Sequence, residues 1–371
     1  MVTDVDCSMS LRPVYGHQAI RHRLATAAAE GRLPASLLLQ GPRGVGKQRL
    51  ALWLGQLLLC DQALSERAIE PCGQCPQCRY AERGMHPDLH WVFPRARLKD
   101  SDPDAQDAKE DLGEAIAERM AADGLWGPSN GTEAIYKYMM QMVVQHAARR
   151  PAMARRAVFV LGDAERMVPQ ESSPESANML LKLLEEPPPG TTLILTSSEP
   201  GTLLPTIRSR VVSVRVPALG RADVEAFLND AAVARALSRM PREEQLARAG
   251  GTPGALFGGE PMQGAFTSAR LLLEAALAPS TPDGQAQRLK VAAKQGVAGA
   301  RGAFSDMLDA LTHLLHARTQ QLVAQGAERE ARRTTMAIPV VERAKELTQR
   351  NAMPNLQTAA LLADLHRLLR S

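Results

Sequence analysis

Eight residues in the first part of the chain, Gly41-Pro-Arg-Gly-Val-Gly-Lys-Gln48, directly follow the apolar run Leu37-Leu38-Leu39 and satisfy all but the last position of the phosphate-loop pattern. In that pattern the glycines let backbone N–H groups wrap phosphate oxygens, and the lysine reaches the terminal phosphates. Gly41, Gly44, Gly46 and Lys47 are in register. The last position calls for a Ser or Thr hydroxyl to ligate magnesium, and here it is Gln48. An amide oxygen on a longer stem replaces that ligand poorly, so the motif supports phosphate binding, with ATP or ADP as candidates, better than magnesium-assisted hydrolysis. A plain glycine turn before a helix is the competing reading, and the order strand, loop, lysine, helix speaks against it.

A hydrolysing phosphate loop also needs acids at the end of a nearby strand, one to hold magnesium and one to activate water. The candidate strand is Ala157-Val-Phe-Val-Leu161, followed by Gly162-Asp163. Gly162 stands where the metal-holding acid belongs. Asp163 remains and can orient water, but two independent metal positions are gone.

The second chemical constellation is Cys60, Cys72, Cys75 and Cys78, separated by eleven, two and two residues. Thiolates at this spacing converge into a tetrahedral zinc site, and four sulfur ligands with no open position make a structural ion, not a catalytic one. A redox pair would normally stand alone as one Cys-x-x-Cys, and incidental thiols would not cluster. Cys7 stands apart and is expected to be inert.

The elements that must position these groups follow from the pattern of the chain. Its 371 residues, 45% hydrophobic, suffice for two or three globular domains. Forty-four Lys and Arg against forty Asp and Glu leave +4, which permits a nucleic-acid partner without demanding one, and 4% aromatics argue against base-stacking platforms. The start, MVTDVDCSMS, lacks a basic segment followed by an apolar run, and no stretch nears the ~20 apolar residues of a membrane span, so a cytoplasmic protein without membrane contact is expected. Up to about Pro217 short β-type runs (Leu37 to Leu39, His90 to Phe93, Ala157 to Leu161, Leu193 to Thr196, Val211 to Val216) alternate with helical patterns, which predicts a parallel, doubly wound α/β sheet. From Arg221 the pattern is helical and stops at Gly250-Gly-Thr-Pro-Gly254. Beyond Phe266, helical stripes such as Phe304, Leu308, Leu311, Leu315 and Leu361, Leu365, Leu368 predict a helical bundle with those residues in its core. Lys99 to Gly131, charge-rich and glycine-punctuated, reads as a surface insertion with a short amphipathic helix around Ile116 and Met120, and carries no assigned chemistry.

Further motifs carry a family resemblance. NMLLKLLEEPP (Asn178 to Pro188) and TSSEPGTLLPTIRSR (Thr196 to Arg210) resemble the central signature of bacterial DNA polymerase III clamp-loader AAA+ subunits. HPDLHWVFP (His86 to Pro94) and the tail RNAMPNLQTAALLADLHRLL (Arg350 to Leu369) resemble the second strand and the helical ending of the delta-prime type. The likeness spans nearly the whole chain. It implies an AAA+ P-loop domain at 1–218 with a zinc module at 60–78 and an insertion at about 99–131, a helical lid at 219–262, and an all-α collar at 263–371 through which five subunits form a ring. The partners it implies are gamma/tau and delta subunits, the sliding clamp and primer–template DNA. It places Ser198 at the position that senses the gamma-phosphate and Arg210 as an arginine finger for the next subunit's ATP site, although Val211 stands where the motif has cysteine. Gly254 falls where motor subunits carry a second sensor arginine. A non-hydrolysing delta-prime-type subunit of the DNA polymerase III holoenzyme and a gamma- or tau-type ATPase motor are both compatible with the family, and the loss at Gln48, Gly162 and Gly254 favours the former. A guanidinium suits the finger role because its rigid fork of donors stays charged, while an ordinary salt bridge at a strand start is the alternative use of Arg210.

Overall fold

The computed structural model of the chain describes residues 10–63, 68–100, 102–128, 133–167, 175–295, 301–348 and 354–370. Cys7, residues 350–353 of the tail, and positions 101 and 129–131 of the insertion lie outside them. The described chain divides into two compact units, one running to Ser238 and the other starting at Arg239.

In the first unit the five apolar runs become β1 (Ser36–Gln40), β2 (Leu89–Val92), β3 (Ala157–Leu161), β4 (Thr191–Ser197) and β5 (Val212–Arg215). They form one sheet in the order β2-β3-β4-β1-β5, with every pairing parallel. α1 (Gln18–Ala29) precedes β1; parallel neighbours need crossovers, and helices fill them: α2 (Lys47–Leu59) and α3 (Pro76–Glu82), α4 (Ala105–Ala121) and α5 (Lys137–Ala147), α6 (Glu175–Glu185) and α7 (Pro205–Arg208), with α8 (Arg221–Leu228) and α9 (Ala231–Ala236) after the last strand. β3 and β4 are buried along their full length and β1 along all but its last residue, which is why these strands read as continuous apolar runs and not as alternating ones. β5 closes one edge and is largely exposed.

The insertion is more ordered than its composition suggests. Asp104 caps α4 through the N–H groups of Gln106 and Asp107, and the Asp107 carboxylate accepts from the Asp104 N–H in return. Ala108, Leu112, Ala115 and Met120 are buried along one face of seventeen residues of helix. Lys109, Glu110, Glu114 and Glu118, which make the segment look like surface, are exposed, whereas Asp111 pairs with Arg95 and Arg119 turns inward.

The second unit is helical throughout its described residues: α10 (Arg242–Ala249), α11 (Gly259–Leu277), α12 (Pro282–Gln295), α13 (Arg301–Ala324), α14 (Glu328–Thr348) and α15 (Pro354–Arg370). Phe266, Leu272, Phe304, Leu308, Leu311, Leu315, Val341, Leu361 and Leu365 form its core; of the expected stripe residues Leu368 stays outside it, half-buried near the end of the last helix.

One buried carboxylate ties the first unit together at the beginning of its strands. Asp88 accepts hydrogen bonds from the backbone N–H groups of Ala152, Met153 and Ala154 at 2.6, 2.8 and 2.7 Å, which fastens the connection from α5 to β3 onto the start of β2. Burial by itself would raise the Asp88 pKa, but the three N–H groups and nearby His86 outweigh it and hold the carboxyl below its ordinary range. A depressed pKa in the folded state means that the stabilisation is present above the unfolded value of about 4 and is lost as pH falls through the folded one. Asp88→Ala is expected to lower stability by about 2–3 kcal/mol near neutral pH through the loss of charge-assisted bonds. Urea unfolding measures this, and the gap to wild type should narrow in strong acid.

Candidate functional site

The carboxyl ends of β1, β3 and β4 meet at one edge of the sheet, where open parallel sheets bind their ligands. The phosphate loop springs from β1. Gly44 and Gly46 adopt φ of 79° and 95°, in the left-handed region, and Gly46 is the residue from which α2 starts. Gly41 is needed for another reason as well: a Cβ there would lie 2.0 Å from the Val216 carbonyl oxygen. Lys47 is buried, and its ammonium donates to the carbonyls of Gly41 and Pro42 at 2.9 and 2.8 Å, closing the loop on itself. Buried His17, 3.1 Å through Nε2 from the Val45 carbonyl, holds the loop from outside.

The two positions from which magnesium ligands would be expected touch each other. A Cβ added to Gly162 would come within 2.5, 2.6 and 2.7 Å of Cδ, Oε1 and Nε2 of Gln48, so the amide lies directly on the glycine. Its oxygen accepts a hydrogen bond from the Trp91 indole N–H at 3.1 Å. Magnesium requires oxygen ligands at about 2.1 Å in near-octahedral order, and the two positions that would offer them form a packed contact. These residues do not fit the ion.

Asp163, at the end of β3, has φ 49°, and its N–H donates to Thr196 Oγ1 at 3.0 Å. Ser198, just past β4, donates through N–H and Oγ to Glu165 Oε1 at 3.0 and 2.8 Å. Burial, then the charges of Asp163 and Glu199, push the Glu165 pKa up against the pull of Lys47, and its Oε2 is buried with no hydrogen-bond partner. Sequence reasoning passed over Glu165, Trp91 and His17. Nothing marks Glu165 in a helical turn, Trp91 reads as a strand residue, and His17 is one polar residue before α1.

Arg210 lies elsewhere. It precedes β5, on the amino-terminal edge of the same parallel sheet, so at least a strand of four residues, about 13 Å, separates that edge from the one bearing the phosphate loop. Its guanidinium donates to the Thr206 carbonyl at 2.9 Å, to Ser209 Oγ at 3.3 Å and to Glu185 Oε1 at 2.6 Å, and about a third of its side chain stays exposed. Gly254 lies in the second unit, in a 3-10 turn over Pro253–Phe257.

The four cysteines converge as their spacing predicts. Cys60 ends α2 and Cys75 caps α3, and the four sulfurs lie within 4.8 Å of one another. Four sulfurs about 2.3 Å from one tetrahedral ion stand about 3.8 Å apart, and Cys72 and Cys78 are already 3.9 Å apart. Backbone N–H groups point at the sulfurs: Ala63 and Cys72 at Cys60, Cys75 at Cys72, and Cys78 at Cys75. Burial raises the Cys72 thiol, but backbone donors from Cys75 and Gln74 outweigh it and bring it to about 7, while burial pushes Cys78 up. The cluster therefore fits a closed metal site.

Comparison with known proteins agrees with this geometry. A family model described as DNA polymerase III, delta subunit, matches residues 16–220. The delta-prime subunit of Pseudomonas aeruginosa is 34% identical over 219 residues, 58% of this chain and 52% of that protein. The tau subunit of Escherichia coli is 27% identical over 357 residues, 95% of this chain and 45% of that one, and the delta-prime subunit of Bacillus subtilis is 28% identical over 187 residues, 50% and 43%. The chain thus spans about half the length of the curated relatives it matches. A gamma-subunit-related protein of Thermotoga maritima covers 96% of the chain and all of its own at 14% identity, but at a TM-score of 0.31 that likeness carries no argument. The family model spans more than half of the residues and takes in the phosphate loop, the cysteine cluster and the Ser209-Arg210 pair: the chain belongs to the DNA polymerase III delta-subunit family, among subunits of the delta-prime and tau type.

Proposed function

We propose that this chain is a delta-prime-type clamp-loader subunit, a non-hydrolysing member of the ring that places the sliding clamp on primed DNA and lends Arg210 to the ATP site of a neighbouring gamma- or tau-type subunit. The observation that carries the non-motor part is the Gln48 amide lying on Gly162, at the two positions that would have to supply oxygen ligands to the metal of a hydrolytic site. The trans role is supported by position, since Arg210 stands on the sheet edge opposite the chain's own phosphate loop. In this reading Ser198 watches the phosphates, Asp163 is a remnant of the water-activating acid, 219–262 is the lid, and the helices from 263 onward are the collar that meets the gamma/tau and delta subunits.

A gamma- or tau-type motor is the second reading, favoured by one observation: the match to the Escherichia coli tau subunit runs through 95% of the chain. ATP turnover by the purified chain separates the two, because even about one turnover per second, toward the low end for enzymes, belongs to a motor.

Arg210→Ala is expected to leave the reconstituted ring assembled while lowering its DNA- and clamp-stimulated ATP hydrolysis in part and its clamp loading more severely. A finger supplies roughly 10³ to 10⁵ in rate at the one site it serves. Lysine should not rescue, since a compact ammonium does not reproduce a planar fork. Wild-type hydrolysis and loading by a complex whose assembly is verified by gel filtration would make Arg210 a structural residue.

The four cysteines, in this proposal, hold one structural zinc ion. Cys75→Ser is expected to release it and to destabilise the first unit, because binding free energy at such sites is folding free energy. Elemental analysis of protein purified without chelators should return one zinc per chain, and a value near zero would refute the assignment.

A further inference from the structure

The metal's place is not merely vacated; it is occupied by a contact that continues into the insertion. Gln48 Oε1 is held by the Trp91 indole, and the same indole forms one wall of a cage around Arg119, which α4 contributes. The guanidinium carbon of Arg119 lies 4.6 Å from the ring centroid of Trp91, 3.4 Å from that of Phe93 and 5.2 Å from that of Trp126. Arg119 enters no ion pair among the described residues, and its Nη1 is buried without a hydrogen-bond partner. Burial pulls its pKa down to about 9, with the charges of Asp163 and Glu133 acting the other way, so it is still a cation at neutral pH. Its electrostatic reach thus includes Asp163, the acid at the end of β3 beside Gly162.

We propose that the phosphate loop of this chain takes a nucleoside polyphosphate without a divalent cation, and that Arg119 is the fixed positive charge built into the fold on the side where the metal would have stood. The inference rests on reading Gly41 to Lys47 as a polyphosphate site and is independent of Arg210. A desolvated cation outside any ion pair is unfavourable in isolation, and its aromatic walls compensate only partly. An incoming polyanion supplies the missing counter-charge, and it does so in a low-dielectric surrounding where a fixed charge acts over distance. Lys47 and the N–H groups at the start of α2 supply the direct contacts. Glu165, whose pKa is raised by burial and then by the charges of Asp163 and Glu199, also faces the site, and its Oε2 is buried without a hydrogen-bond partner. Arg119 acts as a positioning charge, through Trp91 and across space, without touching phosphate. The insertion thereby contributes to the site, because α4 brings to it a cation that the phosphate loop and strand ends do not contain.

The test is binding of a fluorescent methylanthraniloyl-ADP to the full chain, measured once with EDTA and once with excess magnesium. The wild-type dissociation constant should be the same in both buffers. Arg119→Met keeps much of the packing and removes the charge, and it should weaken binding at least about tenfold in both buffers, with thermal unfolding reporting whether the fold persists. The double variant Gln48→Thr/Gly162→Asp rebuilds two metal positions and relieves their clash together. It should become magnesium-dependent by about tenfold or more, which keeps the proposal testable even if Arg119→Met does not fold. Wild-type binding that tightens with magnesium overturns the proposal while sparing the polyphosphate site, and so does a folded Arg119→Met chain that binds like wild type. Absence of binding in both buffers overturns the site itself.

Discussion

Between the start of α2 and the end of β3 a side-chain amide lies where a carboxylate and its metal would be expected. The Gln48 amide lies within 2.7 Å of where any Cβ at position 162 would stand, and the Trp91 indole fixes the amide's oxygen. Gln48 and Gly162 are therefore in direct contact and not two separate losses: with the amide where it lies, any side chain at 162 would meet it, and an acid restored there would require the amide to move. Around that contact the usual framework of a phosphate site persists, with left-handed glycines, a buried lysine and strand ends brought to one edge of a parallel sheet.

The parallel sheet also keeps the phosphate loop and Arg210 on opposite edges of one domain. All five strands run the same way, so the carboxyl edge gathers Gly41 to Gln48, Asp163 and Ser198, while the amino edge gathers what precedes the strands, including Arg210 and the Asp88 anchor. Arg210 is held by Glu185 at the end of α6 and by the Thr206 carbonyl, and part of it remains accessible. A pairing of this kind at an exposed surface is worth ~1 kcal/mol or less, so it orients the guanidinium without committing it.

The cysteine cluster lies between these edges in the chain and stabilises the turn from α2 to α3. Backbone N–H groups aimed at sulfur are what thiolates need when they are gathered in a small space, and they make the loop from Cys72 to Cys78 a preorganised ligand set. The same stretch leads through buried His86, whose Nδ1 accepts from the Asp88 N–H, into the carboxylate that holds the α5 to β3 connection. Cysteine cluster and sheet are thus linked by hydrogen bonds and not by sequence adjacency alone.

Much of this was legible in the chain. Continuous apolar runs of four to seven residues suit buried parallel strands, glycines and a lysine at fixed spacing after a strand match a phosphate loop, and four cysteines within nineteen residues are close enough in the chain to converge. Those features are local, and local chemistry is what a sequence states. The role of α4 was not legible: its charged outer face dominated the composition, and the inward residues at positions 108, 112, 115 and 120 show their meaning only when α5 packs against them. Nor could spacing reveal that Gln48 rests on Gly162, 114 positions away in the chain, or that Trp91 and Arg119 complete the same contact. The residue types at 48 and 162 by themselves determined that a hydrolytic metal would be poorly held; only the tertiary structure decided that its place is taken, because exclusion depends on which atoms the fold brings within van der Waals contact.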